Sequence, residues 1–346
     1  MRIWERKFHL SGHMAGARSA YYPIFGLLRS DSGLVHKIIQ HGNLLNPVLV
    51  ETAEEGGVFV HPLLLEGGEG DAVYRKALRD RRNLLGMLLV CTLAACLSLF
   101  VIEEPKQIVF TLLAVLATAI LYASADYRQV FKYRERLAER CMYYGWLFTS
   151  SRLYIFGLLL LFLVNGLFQF GLSDDGFLER FGMIYHTVLI EPWRIVTGSL
   201  IHSGFSHWLT NLIIGVVIVS FCGPSQRHFA FPVFLLGGII SFSMTLAWVL
   251  YVVPSQADGL VGSSGGLSAL LGSQLVLMIR HRRSYPDRFV WTVFYFVAVT
   301  MIAGGGFVDA VSLTCHIFGL LAGAMMGLVV PDYLSVNENA TPEGGV

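Results

Sequence analysis

The sequence predicts an all-α polytopic membrane protein, on its composition and on the length of its apolar segments. Of the 346 residues, 54% are hydrophobic and only 14% are charged, whereas a soluble domain carries about 25% charged residues. Apolar runs of about 20 residues, the length of a bilayer-spanning helix, recur along most of the chain. The formal net charge of +1 gives no bulk attraction to nucleic acid.

Eight spans are predicted, two early ones followed by a group of six. They are Leu84–Ile102, Ile108–Ala125, Leu153–Leu172, His207–Phe221, Phe231–Val253, Leu260–Ile279, Phe289–Ala303 and Val311–Val330. The fourth is short for a membrane crossing, so we expect its helix to begin nearer Gly198. Residues 1–80 are expected to form a cytoplasmic N-terminal region, and residues 331–346 a loose polar tail in the cytoplasm.

The distribution of charge predicts the orientation of the spans. Lysine and arginine cluster before the first span, after the second and after the sixth, whereas aspartate and glutamate occupy the alternate loops. Basic loops are typically cytoplasmic. Both termini are therefore predicted to be cytoplasmic. The sixth and eighth spans would then both enter the bilayer from the outer side. The membrane is expected to be the inner membrane of a bacterium.

Two polar residues stand near the outer starts of these two spans. Ser264 lies in Gly262-Ser263-Ser264-Gly265-Gly266, and His316 lies in Cys315-His316-Ile317-Phe318-Gly319. Polar side chains at membrane depth are expensive and are functional by default. A serine hydroxyl with an imidazole to activate it is the minimum equipment of a serine hydrolase. Because both spans enter from the same side, Ser264 and His316 are predicted to lie at a similar depth.

Each of the two spans carries small residues on the same face as its reactive side chain. They are Ser268 and Gly272 below Ser264, and Gly319, Gly323 and Gly327 below His316. Small residues at this spacing let helices in lipid approach closely. If the two stripes pack together, the hydroxyl and the imidazole come within hydrogen-bond distance. The alternative is that the stripes are ordinary packing devices.

A second pair of polar residues lies at the outer end of the fourth span. His207 and Asn211 are four residues apart and face the same way. Acyl transfer needs donors aimed at the oxygen that becomes negative, each contributing about 3 kcal/mol. The two side chains and the backbone N–H of Ser264 are candidates for these donors. The alternative is that His207 and Asn211 hydrogen-bond between helices and fix their packing.

Four motifs, in this order and on these spans, resemble the rhomboid intramembrane serine proteases. They are Trp193-Arg194, His202-x4-His207-x3-Asn211, Gly262-x-Ser264-Gly265 with Gly272, and His316-x2-Gly319-x3-Gly323. The resemblance covers residues 150–330, which are expected to form a six-helix protease core. Residues 84–125 would then be two transmembrane helices added before the core.

The resemblance implies a Ser–His dyad without the acid of a triad. Ser264 would be the nucleophile, His316 the general base, and His207 and Asn211 part of the oxyanion hole. Trp193 and Arg194 would have a structural role in a loop after the first core helix. The implied substrates are transmembrane proteins, cut near the outer membrane face. No metal and no cofactor is expected, and oligomeric state is left open.

The chain departs from the family pattern at two serines. Ser263 takes the place of a small residue, so two adjacent hydroxyls compete for the role of nucleophile, and the pattern favours Ser264. Ser268 stands where an aromatic side chain often stacks on the histidine. Asp309 is interpreted as a helix cap before the eighth span rather than as a third triad member.

Other functions remain to be weighed against proteolysis. A catalytically silent rhomboid-like protein would bind transmembrane clients without cutting them. A transporter or haem protein could also use His202, His207 and His316 within the membrane, but that interpretation leaves the serine motif unexplained. The soluble nucleophile elbow G-x-S-x-G requires a preceding strand in an α/β sheet, and the apolar spans of this chain argue against it.

Overall fold

The protein is predominantly helical and contains several long apolar helices, as the sequence predicts. A computed structural model describes residues 35–40, 48–52, 56–60, 68–101, 106–133, 150–171, 176–252, 258–281, 289–307 and 310–331, with single positions between some of these ranges. Asp309, and the tail after residue 331, lie outside the described residues.

Helices form an accessory pair and a core. The accessory helices are α1 (Gly68–Val101) and α2 (Lys106–Lys132). The core helices are α3 (Arg152–Gly166), α4 (Phe177–Phe181), α5 (Arg194–Gly198), α6 (Phe205–Gln226), α7 (Ala230–Tyr251), α8 (Ser264–Arg280), α9 (Phe289–Phe307) and α10 (Ala310–Gly327). Helix α3 continues into a π-helical turn, Leu167–Gly171, and a short 3₁₀ turn, Arg227–Phe229, joins α6 to α7.

Two small sheets are exceptions to the all-α prediction. Within residues 1–80, β1 (Val35–Gln40), β2 (Val48–Thr52) and β3 (Gly56–Val60) pair in order as an antiparallel sheet. In the core, β4 (Met183–Ile184) pairs with β5 (Gly259–Leu260), also antiparallel. The second sheet matters for the site, because β5 leads directly into α8.

Three stretches of the described chain are long and apolar enough to cross a bilayer. They are Tyr74–Leu99, Arg152–Gly171 and Phe205–Tyr251, the last of which comprises both α6 and α7. Shorter apolar helices occupy Phe289–Val299 and Ser312–Gly327. These helices support an integral membrane protein, whereas the count of eight crossings stays a prediction.

The predicted start of the fourth span is wrong. Gly198 does not begin a long helix but ends the short helix α5, and α6 begins at Phe205. Between them, the carbonyl of Gly198 accepts a hydrogen bond from the N–H of Gly262 at 2.9 Å. Residues near Gly198 are therefore tied to the strand that precedes α8, and the chain must turn before it enters α6.

The two small-residue stripes pack face to face, as their spacing predicts. A methyl group added to Gly319 would overlap the backbone carbonyl oxygen of Gly265, and one added to Gly323 would overlap that of Ala269. On the opposite side, a methyl group on Gly272 would overlap the carbonyl of Leu320. Helices α8 and α10 therefore touch along their backbones.

The accessory pair is attached to the core through α9. The hydroxyl of Tyr122 in α2 lies 2.7 Å from the hydroxyl of Thr292 in α9, and the Tyr122 ring stacks on Tyr295 with centroids 5.1 Å apart. Asp126 in α2 forms ion pairs with Arg81 in α1, at 2.7 Å, and with Arg140, which follows α2 in the chain. The accessory helices are thus held by polar contacts as well as by apolar packing.

Candidate active site

Ser264 is the first residue of α8, because the chain before it cannot be helical. Gly259 and Leu260 form β5, and Gly262 has a φ of +131°, a backbone conformation that favours glycine. The predicted sixth span therefore begins as a helix four residues after Leu260. The first N–H groups of a helix have no intrahelical partner, so the Ser264 N–H is available to a substrate.

The structure brings Ser264 and His316 together. The Nε2 atom of His316 lies 2.8 Å from the Oγ atom of Ser264. His316 is buried, whereas Ser264 is half-buried and so is reachable from outside. Such a pair has the geometry of a nucleophile and the base that activates it.

The position of His316 is fixed from two sides. One turn below the Ser264–His316 contact, Gly319 packs on Gly265 and holds α10 against α8. Beside it, the hydroxyl of Ser241 in α7 donates to the backbone carbonyl of Cys315 at 2.6 Å. Among the described residues, the Nδ1 atom of His316 has no hydrogen-bond partner. The described part of the site is therefore a dyad.

His207 and Asn211 both border Gly262, two residues before Ser264. A Cβ atom added to Gly262 would lie 3.0 Å from Nε2 of His207 and 3.7 Å from Nδ2 of Asn211. Asn211 is 5% exposed, and within the described chain its buried Nδ2 has no hydrogen-bond partner. An unpaired buried donor is costly, and a developing oxyanion would satisfy it.

Ser263 and Ser264 point to different histidines. The Oγ atom of Ser263 lies 3.2 Å from Nε2 of His202, whereas Ser264 is bonded to His316. Ser263 is 2% exposed and His202 is 1% exposed. The two adjacent hydroxyls therefore do not share one imidazole, and the Ser264 hydroxyl has the accessible position.

Sequence analysis missed two residues that support this region. Gln169, in the π-helical turn after α3, accepts from the His202 N–H at 3.0 Å and donates to the His202 carbonyl. The hydroxyl oxygen of Ser203 lies 3.0 Å from Nδ1 of His207. Gln169 is a polar residue in a predicted span, and that signal could have identified it. Ser203 lies in the loop between α5 and α6, where helical periodicity gives no signal.

Trp193 and Arg194 lie at the start of α5 rather than at the site. Arg194 donates through Nη1 to the carbonyls of Glu179, at 2.6 Å, and Gly182, at 3.1 Å, and forms an ion pair with Glu191. Its guanidinium lies 5.0 Å from the centre of the Trp193 ring. Arg194 thus ties residues 179–194 together close to β4, which pairs with β5.

Ser268 lies within the contact between α8 and α10. It is fully buried, and a methyl group added to Gly319 would lie 3.1 Å from its Cβ atom. That spacing leaves no room for an aromatic side chain without moving α10. Within the described residues, no group of three His, Cys, Asp or Glu side chains is placed to hold a metal ion.

Residues 189–333 match the rhomboid domain model. The chain carries a rhomboid domain. This confirms the resemblance drawn from the four motifs, and the matched range contains every motif residue from Trp193 to Gly323. The rhomboid domain model begins after α3, so neither that helix nor the accessory pair belongs to the matched part.

Curated proteins similar to this chain carry the same family name. RHOMBOID-like protein 5 of Arabidopsis thaliana is 28% identical over 162 residues, which cover 44% of this chain and 50% of the relative. Rhomboid-related protein 1 of Caenorhabditis elegans is 26% identical over 148 residues, 40% of each chain. Rhomboid-related protein 2 of Mus musculus is 24% identical over 151 residues, covering 40% of this chain and 48% of the relative.

The chain spans half the length or less of these relatives. They come from a plant and from animals, so they give no support to the predicted bacterial membrane.

Proposed function

We propose that this protein is an intramembrane serine endopeptidase that cleaves transmembrane proteins near the outer membrane face. The observation that carries the proposal is the 2.8 Å contact between Ser264 Oγ and His316 Nε2 at the ends of two apolar helices in a rhomboid domain. A hydroxyl bonded to an imidazole is the arrangement that acyl transfer needs. Transmembrane substrates would lie in the same bilayer as these helices and could present their outer ends to the site.

The reaction follows from the roles of these residues. Neutral His316 removes the proton of Ser264 as the hydroxyl oxygen attacks a substrate carbonyl. The Ser264 N–H, Asn211 and His207 donate to the oxyanion that forms. His316 then gives the proton to the leaving amine, and water attacks the acyl-enzyme with His316 again as base. The substrate helix must unwind near its outer end, because the carbonyl groups inside a helix are hydrogen-bonded.

The proposal includes a topology. Eight crossings would leave residues 1–80 and residues 331–346 in the cytoplasm, with residues 84–125 as added helices and residues 150–330 as the protease core. Ser264 begins α8 and His316 lies in the second turn of α10, so both would lie near the outer surface. Water from that side would supply the hydrolytic step.

The first test is cleavage of a single-pass transmembrane substrate by purified protein in detergent. Wild type and Ser263→Ala are expected to release a fragment, whereas Ser264→Ala releases none, and a fluorophosphonate probe labels the first two only. Loss of labelling in Ser263→Ala alone would move the nucleophile by one residue. Folded wild type that neither labels nor cleaves would contradict proteolysis and favour a protein that binds transmembrane clients.

Replacing Asn211 with alanine is expected to lower kcat by about 10²–10³-fold and to leave KM nearly unchanged, because it removes one oxyanion donor. Nδ2 of Asn211 has no partner in the described protein, so its loss breaks no hydrogen bond that holds the helices. Steady-state cleavage of the same substrate measures both constants.

The matched control for Asn211 is Thr210→Ala, at the adjacent and exposed position of α6. It is expected to leave both constants unchanged. If Asn211→Ala kept wild-type kcat but lowered the melting temperature, Asn211 would be a packing residue, the alternative that the sequence left open.

A further inference from the structure

A second hydroxyl–imidazole pair lies beside the proposed dyad and has no part in the mechanism above. It consists of Ser263 and His202, whose Oγ and Nε2 atoms are 3.2 Å apart. Both side chains are almost fully buried, at 2% and 1% exposure. A nucleophile must meet a substrate carbonyl, and this pair is closed to one. Its role must therefore be exerted on a neighbouring group.

His202 is fixed from three directions. Gln169 holds its backbone, accepting from its N–H at 3.0 Å and donating to its carbonyl. Phe162 packs on its ring with centroids 5.5 Å apart, and Ser263 holds its Nε2. A buried ring restrained in this way is a rigid surface for whatever packs on it.

The ring that packs on it is His207. The two imidazole rings meet edge to face, with centroids 5.1 Å apart and planes at 83°. On its other side, Nδ1 of His207 lies 3.0 Å from the hydroxyl of Ser203. The ring plane of His207 is thus set by His202, and one of its two nitrogens is occupied by Ser203.

The hydrogen bond at Nδ1 of His207 determines whether Nε2 is a donor or an acceptor. A neutral imidazole has one donor and one acceptor nitrogen. If the Ser203 hydroxyl donates to Nδ1, the ring proton stays on Nε2, which is the nitrogen that borders Gly262. A donor at that point is what an oxyanion next to Ser264 requires.

We propose that Ser203 is a positioning residue for His207. The Ser263–His202 pair fixes the plane of the His207 ring, and Ser203 keeps the ring proton on Nε2, where it points at the oxyanion. The inference rests on the proposed function, because it assigns a supporting role within the same site. Ser203 acts through His207 and does not touch the reacting atoms.

Ser203 is exposed, so its substitution tests chemistry without disturbing the fold. We expect Ser203→Ala to lower kcat about 10-fold at constant KM, less than the roughly 10²–10³-fold that loss of a whole donor costs. Ser203→Thr retains the hydroxyl and is expected to recover most of the loss. Ser206→Ala, which removes an exposed serine from the first turn of α6, is the matched control and should match wild type.

A double-mutant cycle separates positioning from a general effect. In a His207→Ala background, Ser203→Ala is expected to cost nothing further, because its target is gone. A further 10-fold loss in that background would overturn the proposal, and so would wild-type kcat in Ser203→Ala alone.

A second measurement does not depend on activity. Nitrogen-15 NMR of ring-labelled histidines, with His207 assigned by its loss in His207→Ala, reports which nitrogen carries the proton. Wild type is expected to show the Nε2–H form, and Ser203→Ala a mixture of both forms. An Nδ1–H form in wild type would overturn the inference whether or not the protein cuts a substrate. If the Nε2–H form is found but no substrate is cut, it is the protease proposal that fails.

Discussion

Replacing His316 with alanine is expected to reduce cleavage by about 10⁶-fold in kcat, the scale seen when the base of a serine protease is removed. The hydroxyl of Ser264 has no other imidazole within the described site, because His202 is bonded to Ser263 and His207 to Ser203. Without a base, the serine stays protonated and is a weak nucleophile. Single-turnover cleavage with enzyme in excess measures the residual rate.

The dyad predicts how this effect combines with loss of the nucleophile. Ser264→Ala and the double variant with His316→Ala should have the same residual rate as His316→Ala alone, because residues that act as a unit are not additive. His186→Ala is the control, since His186 is an exposed histidine outside the site, and it should match wild type. A His316→Ala protein that kept a tenth of the wild-type rate would assign the base to another residue.

The dyad could be predicted from the sequence because helical periodicity determines it. Ser264 and His316 each head a stripe of small residues, and the predicted order of the spans would place them at a similar depth. Once the stripes pack at Gly319 and Gly323, the contact of the two side chains follows. The periodicity of the two stripes was sufficient to predict this contact, and no loop geometry was needed.

The residues around the dyad could not be predicted in this way. The Ser263–His202 contact joins the start of α8 to the loop between α5 and α6, and a loop has no periodicity to read. The predicted start of the fourth span, near Gly198, was wrong for the same reason. Hydropathy does not show where the chain turns before Phe205. Gln169 reaches His202 through a π-helical turn, which shifts the face of a helix.

The attachment of the accessory helices to α9 also could not be predicted from the sequence. Tyr122 and Thr292 meet through one hydrogen bond of 2.7 Å between two apolar spans. Nothing in the spacing of polar residues along either helix selects the other helix as its partner. Only the packed structure pairs α2 with α9.

Replacing Gly323 is expected to disable the site from a distance, in proportion to the size of the new side chain. The added Cβ atom would overlap the carbonyl oxygen of Ala269, so α8 and α10 must separate. Forcing extra methylene groups into a packed interior costs about 1–3 kcal/mol, and backbone relaxes less readily than side chains do. We therefore expect Gly323→Leu to lose most of its folded protein, as measured by size-exclusion chromatography and thermal unfolding in detergent.

The smaller change, Gly323→Ala, separates folding from catalysis. It is expected to fold with a lowered melting temperature, and a displacement of the proposed catalytic pair by about 1 Å would cost on the order of 10²-fold in rate. Gly86→Ala is the matched control: it lies in α1, where nothing stands within 4 Å of an added Cβ atom, and alanine there is favoured over glycine by about 1 kcal/mol. Wild-type cleavage by Gly323→Leu would mean that close contact of α8 and α10 does not hold Ser264 and His316 together.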